Sequence, residues 1–313
     1  MGVLSIIIPV FTLIAMGAVA VRLRLVEMAA VRGMTDFVFF TAMPGLLFAS
    51  IIEAPPMQLL NVAGSFLAGA VILFGLGLVA ARLLLRSNLA DASAFGLNCS
   101  YGNVVMLGLP VVQAAYGTIG VAYLLAVVAF HSAVLLPLAT ICIEAGGSRG
   151  KGRGMVALLA TALPGIVKNP VIVAIFLAFF WRFTGLAMPA AVLNFLNLIG
   201  AAGPPLALFC LGASLPRPAT LGGHLAGNRA GLVGAVVLKL AIMPAVVGLI
   251  AHAVGVRGAA FATVVLAAAM PTGANAFLLA RRTGTMAENT AGEVLVSTIL
   301  SVVTLTLLLS WLR

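Results

Sequence analysis

Charged residues are scarce in this sequence. Of its 313 residues only 17 are lysine or arginine and seven are aspartate or glutamate, whereas 63% are hydrophobic and the mean hydropathy is +1.24. About a quarter of the residues of a soluble globular domain are charged, against 8% here. The composition therefore excludes a soluble domain and indicates an integral membrane protein.

Motifs of enzymes and metal sites are also absent from the sequence. It contains no glycine-rich phosphate loop ending in GKS or GKT, no HExxH and no CxxC pair. Cys99, Cys142 and Cys210 lie in or at the ends of apolar runs without paired spacing, which is typical of small packing residues. With three histidines and seven acidic residues, a catalytic centre is hard to assemble. We predict no enzymatic activity, no metal and no cofactor, and keep a membrane enzyme as an alternative.

Long apolar runs occupy most of the chain. A helix needs about 20 apolar residues to cross roughly 30 Å of hydrocarbon, and charged and turn-forming residues divide this chain into about ten such runs. The pattern predicts an all-α integral membrane protein whose function resides among ten transmembrane helices. The predicted spans are residues 3–21, 36–52, 59–81, 92–115, 119–143, 169–184, 188–215, 230–252, 258–280 and 290–312.

Basic residues predict the orientation of these spans. The opening MGVLSIII has no positive charge before its apolar run, whereas Arg22 and Arg24 follow it, so we expect the first span to stay in place with its N-terminus outside. Thirteen basic residues then face the cytoplasm and three face outward, as the positive-inside rule requires. We predict a multi-pass protein of the cell (inner) membrane with both termini extracytoplasmic. Because the basic residues lie in short loops, no nucleic-acid partner is expected.

A polar segment, EAGGSRGKGRG at 144–154, separates two halves of five spans each. An odd number of spans inverts the second half relative to the first, so related halves would form an inverted repeat. PGLLFASI at 44–51 and PLALFCLGASL at 205–215 are weakly similar, which supports such a repeat. We predict a first repeat at 1–145, a cytoplasmic linker with an interfacial helix at 146–168, and a second, inverted repeat at 169–313.

The fourth span contains helix-breaking residues in hydrocarbon, in YGNVVMLGLP at 101–110. Gly102 weakens a helix, and Pro110 lacks an amide hydrogen. Backbone groups freed by such a break find no water in lipid, so the break must line a protein cavity. Asn103 is then a candidate substrate ligand with one carbonyl and one amide.

The ninth span repeats this pattern in AMPTGANAF at 269–277, where Pro271, Thr272 and Asn275 become the matching candidates. A pair of Gly/Pro-interrupted spans at corresponding positions of two halves points to the substrate site of a transporter. Two such breaks present positive helix N-termini to an anion and free carbonyls to a cation. The alternative is structural, since Gly and Pro are ordinary in membrane helices and Asn can join helices.

Ionisable residues within spans are costly and indicate function by default. Lys239 lies deep in the eighth span, where it can attract an anionic substrate or pair structurally with Glu293 of the tenth. His131 is central in the fifth span, and an imidazole titrates near neutral pH, which suits proton coupling; the alternative is a hydrogen bond to a neighbouring helix. Asp36 lies near the cytoplasmic entry of the second span, where it is either interfacial or part of a proton path.

Three motifs resemble one known family. NCSYGNVVMLGLPVVQAAYG (98–117), LALFCLGASL (206–215) and MPTGANAFLLA (270–280) are similar to the auxin efflux carrier family in its bacterial branch, and the resemblance extends over the whole chain. It implies a fold like that of bile-acid sodium symporters, with broken helices four and nine crossing beside a substrate pocket. It also implies elevator-like, alternating-access transport of small organic anions such as indole acetic acid or malonate.

Carried over by residue, the resemblance implies that Gly102 and Asn103 mark the first crossover, and Pro271 and Thr272 the second. Many plant members have Pro-Asn where this chain has Gly-Asn, so the plant substrate preference does not transfer directly. The resemblance also suggests a homodimer in the lipid bilayer. Uniport and coupling to H⁺ or Na⁺ stay open, as do a Na⁺-coupled organic acid symporter of the bile-acid type and an anion channel.

Overall fold

The computed structural model describes residues 3–53, 59–146, 170–215 and 229–312, and within these ranges the chain is helical without a β-strand. The expected interfacial helix and nearly all of the linker at 146–168 lie outside the described residues. In chain order the helices are α1 (Val3–Arg22), α2 (Met28–Phe37), α3 (Met43–Glu53), α4 (Leu59–Leu83), α5 (Leu89–Ser100), α6 (Leu109–Gly146), α7 (Pro170–Phe183), α8 (Ala190–Ala201), α9 (Gly203–Ser214), α10 (Arg229–Val237), α11 (Met243–Ala253), α12 (Gly258–Ala268), α13 (Ala274–Thr283) and α14 (Ala287–Leu312).

Seven helical stretches of the described chain are long and apolar enough to cross a membrane, which confirms the all-α membrane fold. They are Val3–Arg22, Met28–Glu53, Leu59–Leu83, Val104–Gly146, Ala190–Ser214, Arg229–Ala253 and Ala287–Leu312. Pro170–Phe183 and Gly258–Ala268 are apolar but shorter. The arrangement of ten spans as two inverted repeats stays a prediction.

Two boundaries differ from the expected ones. The second span begins at Met28 instead of residue 36, because the mostly apolar residues around Arg32 form the first turns of the helix. Asp36 therefore lies within the helical stretch, on an exposed face. The fourth and fifth spans meet in α6 without a loop, at Gly117, whose φ of 61° and ψ of −152° are not helical. A left-handed glycine changes the helix direction there without intervening residues.

Three π-helical turns widen the helices. They are π1 (Val38–Ala42) between α2 and α3, π2 (Val104–Gly108) before α6, and π3 (Leu238–Ile242) between α10 and α11. A proline lies two residues after the end of each turn: Pro44, Pro110 and Pro244. Proline has no amide hydrogen and its ring clashes with the carbonyl four residues before it, so a wider turn relieves the clash.

Helices α1 and α9 approach each other closely at two glycines. A Cβ on Gly17 would overlap the Phe209 carbonyl oxygen, and a Cβ on Gly212 would overlap the Ile14 carbonyl oxygen. Small residues permit such backbone contact in membranes, where van der Waals packing replaces the hydrophobic effect as the force between helices. The contact fixes α1 against α9.

Candidate functional site

The two helix interruptions contact each other. Residues 101–103 separate α5 from π2, and residues 269–273 separate α12 from α13. The Asn103 amide donates to the Pro271 carbonyl over 2.7 Å, and the Gly273 amide donates to the Tyr101 carbonyl over 3.0 Å. These two bonds form an isolated antiparallel bridge centred on Gly102 and Thr272. The bridge satisfies backbone groups that would otherwise lack partners in a membrane interior.

The two central amides of the bridge are bonded to side chains of the following helices. The Gly102 amide donates to Nε2 of His131 in α6 over 3.2 Å. The Thr272 amide donates to Oγ of Ser297 in α14 over 3.1 Å. Each interruption is therefore fixed on both sides, by the other interruption and by a helix that follows it in the chain.

Glycine suits both positions of the bridge because other groups come close. A Cβ on Gly273 would lie 2.8 Å from two ring carbons of Tyr101, and one on Gly102 would lie 3.3 Å from Nζ of Lys239. The two glycines let the interruptions pack against a ring on one side and an ammonium group on the other.

A cavity of about 50 Å³ adjoins the bridge, several times the roughly 10–15 Å³ that one buried water needs. Four of the sequence-predicted residues line it: Gly102, Asn103, Asn275 and His131. Tyr101 and Ser132 also line it and were not predicted. The complete lining is Phe39, Tyr101, Gly102, Asn103, Val104, Val105, Met106, Val128, His131, Ser132, Val171, Ile172, Gly273, Ala274 and Asn275.

Polar side chains of the cavity form a network around Tyr101. Its hydroxyl lies 2.8 Å from Oγ of Ser132 and accepts a bond of 3.0 Å from Nδ2 of Asn275. Its ring stacks on His131 with centroids 4.1 Å apart. Nδ2 of Asn103 is buried and has no hydrogen-bond partner in the described part of the chain, although buried amide donors are usually bonded.

The electrostatics of the cavity favour an anion. Among the described residues that line it, none is lysine, arginine, aspartate or glutamate. The helical stretch that begins at Val104 and helix α13, which begins at Ala274, both start at the cavity wall. The first amides of a helix have no acceptor within it, and a helix N-terminus carries about half a positive charge.

The other predicted residues lie outside the cavity lining. Pro110 follows π2, and Pro271 and Thr272 belong to the bridge behind the cavity. The Thr272 hydroxyl donates to the Asn98 carbonyl over 3.1 Å. Exposed Asp36 is likewise not part of the lining.

Lys239 supports the second interruption. It is fully buried in π3 and donates from Nζ to the Ala268 carbonyl over 2.6 Å, at the C-terminus of α12, and to Sδ of Met243 over 3.1 Å. A cation at a helix C-terminus interacts favourably with its free carbonyls. The structural pair with Glu293 is not formed among the described residues: Oε2 of that buried carboxyl has no hydrogen-bond partner there. The sequence indicated that Lys239 and Glu293 enter their spans from the same side of the membrane, but not where their side chains point.

The fold and site define a membrane transporter. Residues 3–309 match the family described as "Membrane transport protein", so the chain belongs to this family, the auxin efflux carrier family, and the resemblance of its motifs is confirmed. A protein of Rhizobium meliloti named "Putative malonate transporter" is 26% identical over 99% of this chain and 95% of its own. "Uncharacterized transporter YfdV" of Escherichia coli is 24% identical over 95% of this chain and 94% of its own. Since members of the family are transporters, the prediction that the chain is not an enzyme is also confirmed.

Proposed function

We propose that this protein is a secondary carrier of small organic anions that holds its substrate in the cavity beside the two interruptions. One observation carries the proposal: two helix N-termini begin at the wall of a cavity whose described lining includes polar groups but no charged side chain. Amides at helix N-termini bind anions without a permanent cation. The unpartnered Nδ2 of Asn103 supplies a further donor.

A carboxylate is the group that we assign to this cavity. The name of the Rhizobium meliloti relative supports a malonate-type substrate, and the family supports indole acids. The shortage of cations favours binding of one carboxylate per site, because a second buried charge needs a partner of its own. Asn103 and Asn275 orient the carboxylate, while Gly102, Pro110, Pro271 and Thr272 shape the interruptions around it.

Alternating access by an elevator-like motion of two inverted five-helix repeats is the mechanism that we infer. The bridge has a two-fold pattern that supports it: the Gly102 amide bonds to a side chain 29 residues further on, and the Thr272 amide bonds to one 25 residues further on. Transport is driven by the membrane potential or coupled to H⁺ or Na⁺. His131, Lys239, Glu293 and Asp36 are the candidates for coupling or support.

We further propose that the carrier lies in the inner cell membrane with both termini extracytoplasmic, and that it forms a homodimer. Thirteen inward-facing basic residues support the orientation.

Counterflow of radiolabelled malonate and indole acetate into proteoliposomes tests the function whatever the coupling. We expect saturable exchange that is lost in the Asn103→Ala/Asn275→Ala variant and retained in Asn61→Ala, an exposed asparagine at the start of α4. Charge movement on solid-supported membranes, with and without Na⁺ and a pH gradient, then separates uniport from coupled transport.

Each alternative gives a different result. Flux without saturation or counterflow would indicate a channel, and exchange that requires Na⁺ would indicate a symporter of the bile-acid type. Absence of exchange for both anions would refute the assigned substrate class, and unchanged exchange in the double variant would refute the site.

A further inference from the structure

We propose that the coupling ion of this carrier is a proton and that it binds on Nε2 of His131. This inference rests on the proposed function, since it concerns what binds together with the anion. It makes His131 the link between the substrate cavity and the first interruption.

The hydrogen bond at His131 determines where the proton of the ring lies. Nε2 of His131 accepts the Gly102 amide over 3.2 Å, so this nitrogen carries no hydrogen in the structure. A neutral imidazole has one donor and one acceptor nitrogen, which leaves its hydrogen on Nδ1. A proton can bind Nε2 only when the bond to Gly102 breaks.

Few charged or titratable groups surround His131. The side chain is 2% exposed, stacks on Tyr101 from the end of α5, and packs nearly perpendicular to the ring of Phe66 from α4, with the ring centroids 5.5 Å apart. Across the bridge lies the ammonium of Lys239, 3.3 Å from the Cβ position of Gly102. The residues that line the cavity from π1, π2, α7 and α13 are uncharged. Tyr101 and Lys239 are therefore the titratable groups that face His131 within the described chain.

An anion and a proton stabilise each other at this place. Protonation of Nε2 frees the Gly102 amide and places a positive charge on the cavity wall, with Lys239 as a second cation behind the bridge. A carboxylate in the cavity compensates both changes, because it attracts the imidazolium and can accept the freed amide. By linkage, each ligand increases the affinity for the other. Breaking the bond also releases the first interruption from α6.

A sodium ion does not fit the same position. Hard cations need several oxygen ligands, whereas this position offers a ring nitrogen with an ammonium group nearby. For a monoanionic substrate, binding with one proton makes the loaded carrier no more charged than the empty one.

The proposal is tested on purified full-length protein in nanodiscs with indole acetate and malonate as probes. In weakly buffered solution with a pH indicator, we expect uptake of about one proton per anion bound. Over the corresponding pH range, with the probe fully ionised, the Kd should rise about tenfold per pH unit, because one proton is linked to each anion.

Two histidine variants test whether His131 is the group that takes up the proton. His131→Gln keeps an acceptor for the Gly102 amide but cannot be protonated, so proton uptake should vanish and the Kd should become independent of pH. His252→Gln, an exposed histidine near the end of α11, should behave like the wild type. Should His131→Gln not fold, ¹⁵N NMR of histidine-labelled wild-type protein gives the same information: one ring should change from the neutral Nδ1–H form to imidazolium when the anion is added.

Failure of this inference and failure of the proposed function give different results. Anion binding without proton uptake and without a histidine change in the NMR spectrum overturns this inference and leaves the proposed function intact. Proton uptake that persists in His131→Gln also overturns it, since another group then takes the proton. No binding of either anion at any pH overturns the proposed function and this inference together.

Discussion

Tyr101 connects three parts of the candidate site. Its ring lies on His131 of α6, its hydroxyl contacts Ser132 and Asn275, and its carbonyl accepts the amide of Gly273. Rigid aromatic rings with a polar end are well suited to such positions. We infer that Tyr101 fixes the cavity side chains in place before a substrate enters.

Tyr101→Phe tests this role of the hydroxyl. The variant keeps the stacking but removes two hydrogen bonds, each worth about 1 kcal/mol, so the affinity for malonate or indole acetate should fall up to about thirtyfold while the protein stays folded. Titration of the purified protein measures the affinity, and Tyr123→Phe, in α6 and outside the cavity lining, is the matched control. An unchanged affinity would show that the hydroxyl does not position the cavity.

Gly273→Ala tests the close approach at the second interruption. The added methyl would lie 2.8 Å from ring carbons of Tyr101 and 3.0 Å from the Gly102 carbonyl oxygen. Overpacking of this kind costs about 1–3 kcal/mol, so we expect a lower Tm and a large loss of uptake. Gly75→Ala, where nothing lies within 4 Å of the added group, should leave both unchanged. A Gly273→Ala protein with normal uptake would contradict the rigid packing.

The residues of the site were partly predictable. Glycine, proline and asparagine within an apolar run indicated both interruptions and led to Asn103 and Asn275. Tyr101 and Ser132 are ordinary residues of membrane helices, and only their positions next to Gly102 and His131 hinted at a role. The contact of Lys239 with the Ala268 carbonyl joins residues 29 positions apart, and no pattern of spacing predicts the direction of that side chain.

At the scale of the elements, some prolines of this chain follow a π turn and others do not. Pro44, Pro110 and Pro244 each follow a π turn, whereas Pro9 in α1 and Pro137 in α6 lie in helices without one at that place. Proline alone therefore does not create a π turn. In π2 the Asn103 carbonyl accepts both the Leu107 and the Gly108 amides, which sets the direction in which Asn103 leaves the bridge.

Pro110→Ala tests whether π2 matters to the site. A proline in a helix interior costs about 3 kcal/mol. Alanine removes this cost, because it restores the amide hydrogen and has no ring to clash, so the turn can revert to α-helical geometry. We expect a higher Tm together with reduced uptake, because the residues after Asn103 shift around the helix. Pro137→Ala, in the same helix and outside the cavity lining, should raise the Tm without reducing uptake. Normal uptake in Pro110→Ala would mean that π2 is dispensable.

The sequence predicted the locations of the helices better than the residues at which they begin and end. Apolar runs located the helices because hydrocarbon requires continuous backbone bonding, but the charges of Arg32 and Asp36 placed the start of the second span too late. The direct passage between the fourth and fifth spans depends on the conformation of Gly117, and many other glycines of this chain lie in ordinary helix.

At the scale of the whole molecule, the orientation of the interrupted span formed by α12 and α13 can be measured. Arg257 precedes it and Arg281 and Arg282 end it, and all three are exposed. The proposed topology places Arg257 outside and Arg282 in the cytoplasm.

Cysteine labelling checks this topology after Cys99, Cys142 and Cys210 are replaced. In intact cells, a membrane-impermeant maleimide should label Arg257→Cys, and it should label Arg282→Cys only after permeabilisation. Arg86→Cys, also predicted to face inward, should follow Arg282→Cys. The reverse pattern would invert the assigned orientation, and labelling of both Arg257→Cys and Arg282→Cys in intact cells would contradict a membrane-spanning segment between them.

The close approach of α1 and α9 at Gly17 and Gly212 has a consequence for biosynthesis. The two glycines are 195 positions apart (212 minus 17), and a ribosome adds about 5–20 residues per second, so α1 leaves the ribosome about 10–40 seconds before its partner exists. During that time its small-residue face lacks the helix on which it packs in the folded protein. The mean hydropathy of α1, 2.5, is suited to this interval, since it lets the helix persist in the bilayer alone.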